Sequence, residues 1–188
     1  TGGTHGIGMA VGKILGKAGA KICVNDLEQS RLDEAKKQYA EAGIDVFTVV
    51  FDVTSEEDVD KGISAIEKEV GTIDILVNNA SVLQSSSLLE ITREQWEGSI
   101  ATNLTGPFLC ARAAAPFMLA QGSGHIVNIS DLSAHQTWPR FADHSASKAG
   151  LEALTRVMAA ELAPAVRVNA IAPGTVLLPD GAGPAARP

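Results

Sequence analysis

Thr1-Gly2-Gly3-Thr4-His5-Gly6-Ile7-Gly8 decides how the rest of this chain is read. It runs into a helix-like stretch, Met9 to Ala20, and then a strand-like one, Lys21 to Asn25, ending at Asp26. Gly2 and Gly6 permit a tight turn and close approach of the backbone to a pyrophosphate, and Gly8 lets the next helix pack near a sheet. Thr4, His5 and Ile7 complete the turn. The N-terminus of the following helix then offers free N–H groups and the positive end of its dipole to phosphates. Glycine-rich stretches are often mere turns. Here the turn opens a βαβ unit with an acid at the end of the next strand, which points to a dinucleotide.

The 188 residues, 45% hydrophobic, read as one domain spanning 1–188 with enough apolar content for a core. Fifteen basic against 22 acidic residues give a net charge of -7. With no basic stripe, nucleic acid is not an expected partner. No apolar run reaches membrane-spanning length, so no membrane partner is expected either. Cys23 and Cys110 lack metal-ligand spacing and read as small buried apolar residues, which fits a cytoplasmic protein. His125 and His135 have no partners at ligand spacing, so no metal is expected.

Helix and strand patterns alternate along the chain, with no internal repeat, which predicts an α/β, Rossmann-type, doubly wound parallel sheet flanked by helices. Helices are expected over 29–42, from Ser55 onward, over 92–120 with a break or bend near Gly106-Pro107 and Pro116, and over 144–163. Strands are expected over 45–51, 73–77, 125–129 and 166–171. A doubly wound sheet calls for a strand before the glycine turn, and the end from Gly181 to Pro188 has no periodicity. The chain therefore reads as a fragment, truncated at both ends.

Six motifs stand in order: the glycine turn, Asp52-Val53, Asn78-Asn79-Ala80, Asn103-x-x-Gly106, Ser147-Lys148 and Pro173-Gly174. Together they resemble the short-chain dehydrogenase/reductase family. That resemblance implies a nicotinamide cofactor and hydride transfer to or from a carbonyl or alcohol carbon of a small-molecule substrate. It also implies assembly as a homodimer or homotetramer. By the same resemblance, Asp52 and Val53 would flank adenine, Asn79, Ala80 and Ser81 would approach the cofactor ribose, and Pro173 and Gly174 would sit by the nicotinamide. Residues 1–80 are similar to gluconate 5-dehydrogenase-type members. From Asn79-Ala80-Ser81 onward, through Val166–Gly174 to Leu177-Leu178-Pro179, the chain is closer to pteridine reductase-like members.

Asp26 carries a separate physical reading. A carboxylate there accepts both adenosine ribose hydroxyls and repels a 2′-phosphate, which favours NAD over NADP. A protonated His5 would offset part of that repulsion.

The catalytic pattern departs from the family. The expected Tyr-x-x-x-Lys reads His144-Ser145-Ala146-Ser147-Lys148, and the one tyrosine, Tyr39, falls in a surface-helix pattern far upstream. Counting back, the family's serine position falls on Asp131, with Ser130 beside it and Ser133 nearby. Lys148 and Asn103 match the family's lysine and asparagine, which the resemblance casts as ribose ligand and water holder. Imidazole is a competent acid or base near neutral pH. Lys148, one helical turn on, lowers the pKa of His144, and Asp131 raises it. The alternative is a catalytically impaired nucleotide-binding sensor or scaffold in which His144 merely caps the helix beginning near Asp143. Trp138, in the segment before that helix, is either a ring-stacking residue or an ordinary loop anchor.

Overall fold

The computed structural model describes residues 1–174, so Leu177-Leu178-Pro179 and the end at 181–188 lie outside the described residues. Helices α1 (Gly6–Lys17), α2 (Gln29–Glu41), α3 (Glu56–Glu69), α4 (Arg93–Ile100), α5 (Gly106–Gln121) and α6 (Ala142–Leu162) alternate with strands. The strands are β1 (Ile22–Asp26), β2 (Val46–Val50), β3 (Ile75–Asn78), β4 (Gly124–Ile129) and β5 (Val166–Ile171). Every pairing is parallel, β1 with β2 and β4 with both β3 and β5. This is the expected Rossmann-type α/β arrangement.

The sheet comes in two parts, β1-β2 and β3-β4-β5. Between the facing edges of β1 and β3 runs a groove of about 660 Å³, lined by Val24 and Asn25 on one side and Leu76 and Val77 on the other. The glycine turn spans its end, with the Thr1 nitrogen donating to the Val77 carbonyl at 2.7 Å and Gly3 N–H to the Asn25 carbonyl at 3.3 Å.

There are two apolar clusters, the larger also taking in Phe51 and Val53 just beyond β2. Val24 and Val46 pack with Met9, Leu32, Ala35 and Tyr39 from α1 and α2. Leu76, Ile126 and Val168 pack with Val59 and Ile63 of α3, Cys110 and Met118 of α5, and Met158 of α6. Local chemistry sets the helix ends. Ser55 accepts the Asp58 N–H at the start of α3, ahead of three acidic residues that complement the helix dipole. Thr92 does the same for α4, and Gly122 ends α5 in the left-handed conformation at φ 77.

The expected break near Gly106-Pro107 is present, and three other expectations, at Pro116, Tyr39 and His144, are corrected. The pattern over 92–120 is two helices joined by a π-turn, Ala101–Thr105. Pro107 has no N–H for the Asn103 carbonyl and its ring crowds that oxygen, so the chain widens by a residue there. Pro116 by contrast sits within an unbroken α5. Tyr39 is not a surface residue: its ring is fully buried and its hydroxyl donates to the Gly3 carbonyl at 3.1 Å. Finally, α6 starts at Ala142 behind Phe141, so His144 lies inside the first turn on the buried side and caps nothing.

Candidate active site

Strand ends β1, β3 and β4, the glycine turn and the first turns of α6 converge on one cavity of about 460 Å³. Gly2, His5, Gly6 and Ile7 line one end with Asp26, Asp52 and Val53; Asn79, Ala80 and Ser81 line the middle. Ser130, Asp131, His144, Lys148, Pro173 and Gly174 line the other end. Of the residues picked from the sequence, Thr4, Gly8 and Asn103 lie behind this lining and shape it.

The turn is built around glycine in ways the structure makes explicit. A Cβ on Gly8 would lie 2.3 Å from the Gly2 carbonyl oxygen and 2.6 Å from Asn79 Nδ2. Gly6 has φ +54 and nothing within 4 Å of where its Cβ would be, so it borders open space. Helix α1 starts at Gly6 with no side-chain cap from His5 and no acid in its first turn. Uncapped N–H groups facing an open cradle fit a pyrophosphate. Asn79 Nδ2 donates to the Thr1 and Gly2 carbonyls at 3.1 and 2.9 Å, stapling the turn to the end of β3.

Asp26 is only 7% exposed and largely engaged. Its Oδ2 accepts from Thr4 Oγ1 at 2.5 Å, and its Oδ1 accepts Leu27 N–H at 2.8 Å and Glu28 N–H at 3.4 Å. A carboxylate has about four acceptor sites, which leaves one for a ribose hydroxyl and not the expected pair. The Arg31 guanidinium stands 3.8 Å from Oδ1 and also lines the cavity. Asp52 is both a turn former, accepting Thr54 N–H and Oγ1–H at 2.8 Å, and a lining residue.

At the other end, His144 Nδ1 lies 3.2 Å from the Val82 carbonyl. Nδ1 also lies 3.3 Å from Asn103 Nδ2, which only donates. The shorter contact, to a carbonyl that only accepts, favours the hydrogen on Nδ1 and, in the neutral ring, a lone pair on Nε2. Nε2 is buried without a hydrogen-bond partner, and Asp131 Oδ2 stands 4.0 Å away. Burial above all, and then the Lys148 charge, hold the His144 pKa below its ordinary 6.5, against upward pulls from the Val82 bond, Asp131 and Asp143. Lys148 Nζ donates to the Ile129 carbonyl at 2.8 Å, and burial lowers its pKa to about 8.

Asn103 sits on the π-turn and is fully buried. Its Nδ2 donates to the Val82 carbonyl (2.9 Å) and Ser147 Oγ (3.1 Å), while its Oδ1 accepts Val82 N–H (2.8 Å) and Ser81 Oγ–H (3.0 Å). The side chain thus ties the loop at 81–82 to α6 and fixes the carbonyl that orients His144. The hydroxyl of Ser130 points away from His144 and donates to Glu152 at 2.8 Å. It is therefore Asp131, not Ser130, that faces the imidazole. Trp138 lies outside the lining and packs edge-on against Phe141, as a loop anchor does. Sequence reasoning missed Val82, Arg31 and Glu152. A backbone carbonyl leaves no mark in a sequence, but Glu152 stands one turn beyond Lys148, a spacing that places both on one helix face. Among the described residues, no group of three His, Cys, Asp or Glu side chains is placed to hold a metal ion.

A glycine turn with uncapped N–H groups, an acid ending β1 and a titratable pair beside a buried lysine are the chemistry a dinucleotide-binding oxidoreductase site calls for. The comparisons agree. The short chain dehydrogenase family description matches residues 1–183. The gluconate 5-dehydrogenase of Gluconobacter oxydans is 35% identical over 175 residues, covering 93% of this chain and 68% of that relative. A 3-oxoacyl-[acyl-carrier-protein] reductase of Synechocystis is 37% identical over 178 residues, covering 94% and 72%. The crystal structure of a gluconate 5-dehydrogenase from Burkholderia cenocepacia, in complex with NADP and tartrate, superimposes with a TM-score of 0.88 at 34% identity, covering 93% and 69%. The chain belongs to the short-chain dehydrogenase/reductase family and is an NAD(P)-dependent enzyme of that family.

Proposed function

We propose that this chain moves a hydride between a nicotinamide carrier and the carbonyl or alcohol carbon of a small molecule, a pterin-like C=N being the variant, with His144 in the proton-transfer position. The dinucleotide supplies the hydride donor or acceptor. The carrying observation is His144 Nε2, buried and unpartnered, on a ring whose Nδ1 lies 3.2 Å from the Val82 carbonyl. Such a nitrogen takes the hydroxyl proton of an alcohol during oxidation, and Asp131 at 4.0 Å favours the imidazolium that results. Lys148 fixes the ribose and adds positive charge beside the developing alkoxide, and Asn103 holds the loop that sets the ring's tautomer. Asp26 favours NAD(H), and Arg31 and His5 temper that preference. The decisive experiment is turnover of wild type and His144→Phe with NAD⁺ and NADP⁺ across a panel of gluconate-like sugar acids, 3-oxoacyl thioesters and pterins. Loss of turnover with retained dinucleotide binding supports the role, and undiminished turnover removes it.

One observation favours a second reading, the impaired sensor or scaffold. An imidazole held neutral is a poor acid for reduction. That reading expects NADH binding without turnover and a gain of activity in His144→Tyr. We further place the protein in the cytoplasm, where its two free cysteines stay reduced, as a homodimer or homotetramer. No helix among the described residues is long and apolar enough to cross a membrane.

A further inference from the structure

We infer that Glu152 is a positioning residue that brackets the turn carrying Asp131 and so sets the charge His144 feels; this rests on the reading of His144 above. Asp131 is the N-cap of a single 3-10 turn, Leu132–Ala134, and its Oδ1 accepts the Ser133 N–H at 2.7 Å, leaving Oδ2 toward His144. The residue before the cap and the residue closing the turn both reach one carboxylate on α6. Ser130 Oγ donates to Glu152 Oε1 at 2.8 Å, and His135 Nε2 lies 2.9 Å from Glu152 Oε2. Each oxygen holds one end of the turn. The Glu152 side chain is only 13% exposed and Ser130 is buried, so water competes poorly for that bond, while His135 holds its end from the exposed side.

The order of the three groups excludes a nucleophile. Ser130 donates to the carboxylate and not to an imidazole, so the serine–imidazole–carboxylate order of a nucleophile triad is not formed. What the geometry offers is rigidity. Glu152 stands one helical turn beyond Lys148 and two beyond His144, so a single helix carries the lysine, the imidazole and the bracket. At 4.0 Å, the Asp131–His144 pair has no direct hydrogen bond to hold its spacing, and that spacing must come from the turn's anchorage.

The test is an NMR titration of the His144 ring in the full chain, alongside kcat, KM and dinucleotide Kd, for Glu152→Ala and Glu152→Gln. Glutamine keeps an acceptor for Ser130 and a polar group toward the His135 ring, but removes the charge. We expect Glu152→Ala to lower the His144 midpoint by roughly half a pH unit as Asp131 drifts away. We expect kcat to fall about tenfold with little change in Kd. Glu152→Gln should restore most of both. Equal shifts in the two variants would mean that Glu152 acts only through its charge, and no shift in Glu152→Ala would mean that it positions nothing; either overturns the inference. If Glu152→Ala does not fold, the Ser130→Ala/His135→Ala pair removes the bracket with Glu152 in place and must give the same downward shift. Because the titration reads His144 without turnover, it still reports on the bracket if His144→Phe proves fully active.

Discussion

His144 and Lys148 are buried within one turn of each other, and both are held below their ordinary pKa. For His144 the folded state disfavours the proton. Its contribution to stability is complete above about pH 6.5 and is lost as the pH falls through the lower folded value. The same depression places the acid limb of alcohol oxidation below pH 6.5. In Asp131→Asn that limb should move lower still, since a charge favouring imidazolium is gone; a pH–rate profile of kcat reads it. Lys148 behaves alike in the alkaline range. With a folded pKa of about 8, its charged form costs the fold on the order of 3 kcal/mol at neutral pH. Lys148→Met should therefore abolish turnover yet raise stability by about 1–2 kcal/mol, after allowing for the lost bond to Ile129, as measured by urea unfolding at pH 7. The identities of these residues were legible in the sequence through the resemblance to the family's Tyr-x-x-x-Lys pattern. The tautomer was not, because it depends on a Val82 carbonyl 62 residues away.

At the scale of elements, the glycine turn separates stability from binding. Gly8→Ala drives a methyl into the Gly2 carbonyl, and should both unfold the turn, at a cost of 2 kcal/mol or about that, and abolish NADH binding. Gly6→Ala meets no atom, so it should cost the fold about 1 kcal/mol of left-handed strain while its methyl crowds the phosphate cradle. Thermal unfolding and NADH fluorescence titration distinguish the two. The π-turn offers a second case. Pro107→Ala returns an N–H to the Asn103 carbonyl and should let α4 and α5 merge, swinging Asn103 off Val82 and lowering kcat more than Tm. Strand and helix existence was readable from periodicity and from Ser55 as a cap, whereas the Thr92 cap was not singled out. The π-turn was readable only as a disturbance near Gly106-Pro107, since sequence shows a missing donor but not how the chain accommodates it. Tyr39 was misjudged because its helix has a polar composition, while its ring crosses to the Gly3 carbonyl under α1.

Over the whole molecule, the two halves of the sheet should not be equally firm. Strand β4 is paired on both sides and its Ile126 is fully buried, whereas β1 and β3 each show one edge to the groove between them. Hydrogen exchange of this 188-residue chain should find β4 amides protected to near the global limit, and the groove-facing amides of β1 and β3 exchanging much sooner. Uniform protection across all five strands would contradict this. Alternating α/β order was enough to read the parallel, helix-flanked sheet from sequence. The packing of α5 and α6 against β4 was not, because it follows from how small residues such as Ala111 and Ala114 let the helices approach.

Cys110 sits at the centre of that firmer half, fully buried on α5, with its thiol pKa pushed up to about 11 by burial. Thiolate is the form that alkylating reagents attack, so the native chain shields this sulfur twice, by access and by protonation. Pulsed labelling at Cys110, resolved from half-buried Cys23 by mass, would therefore run as a clock for opening of the three-stranded core.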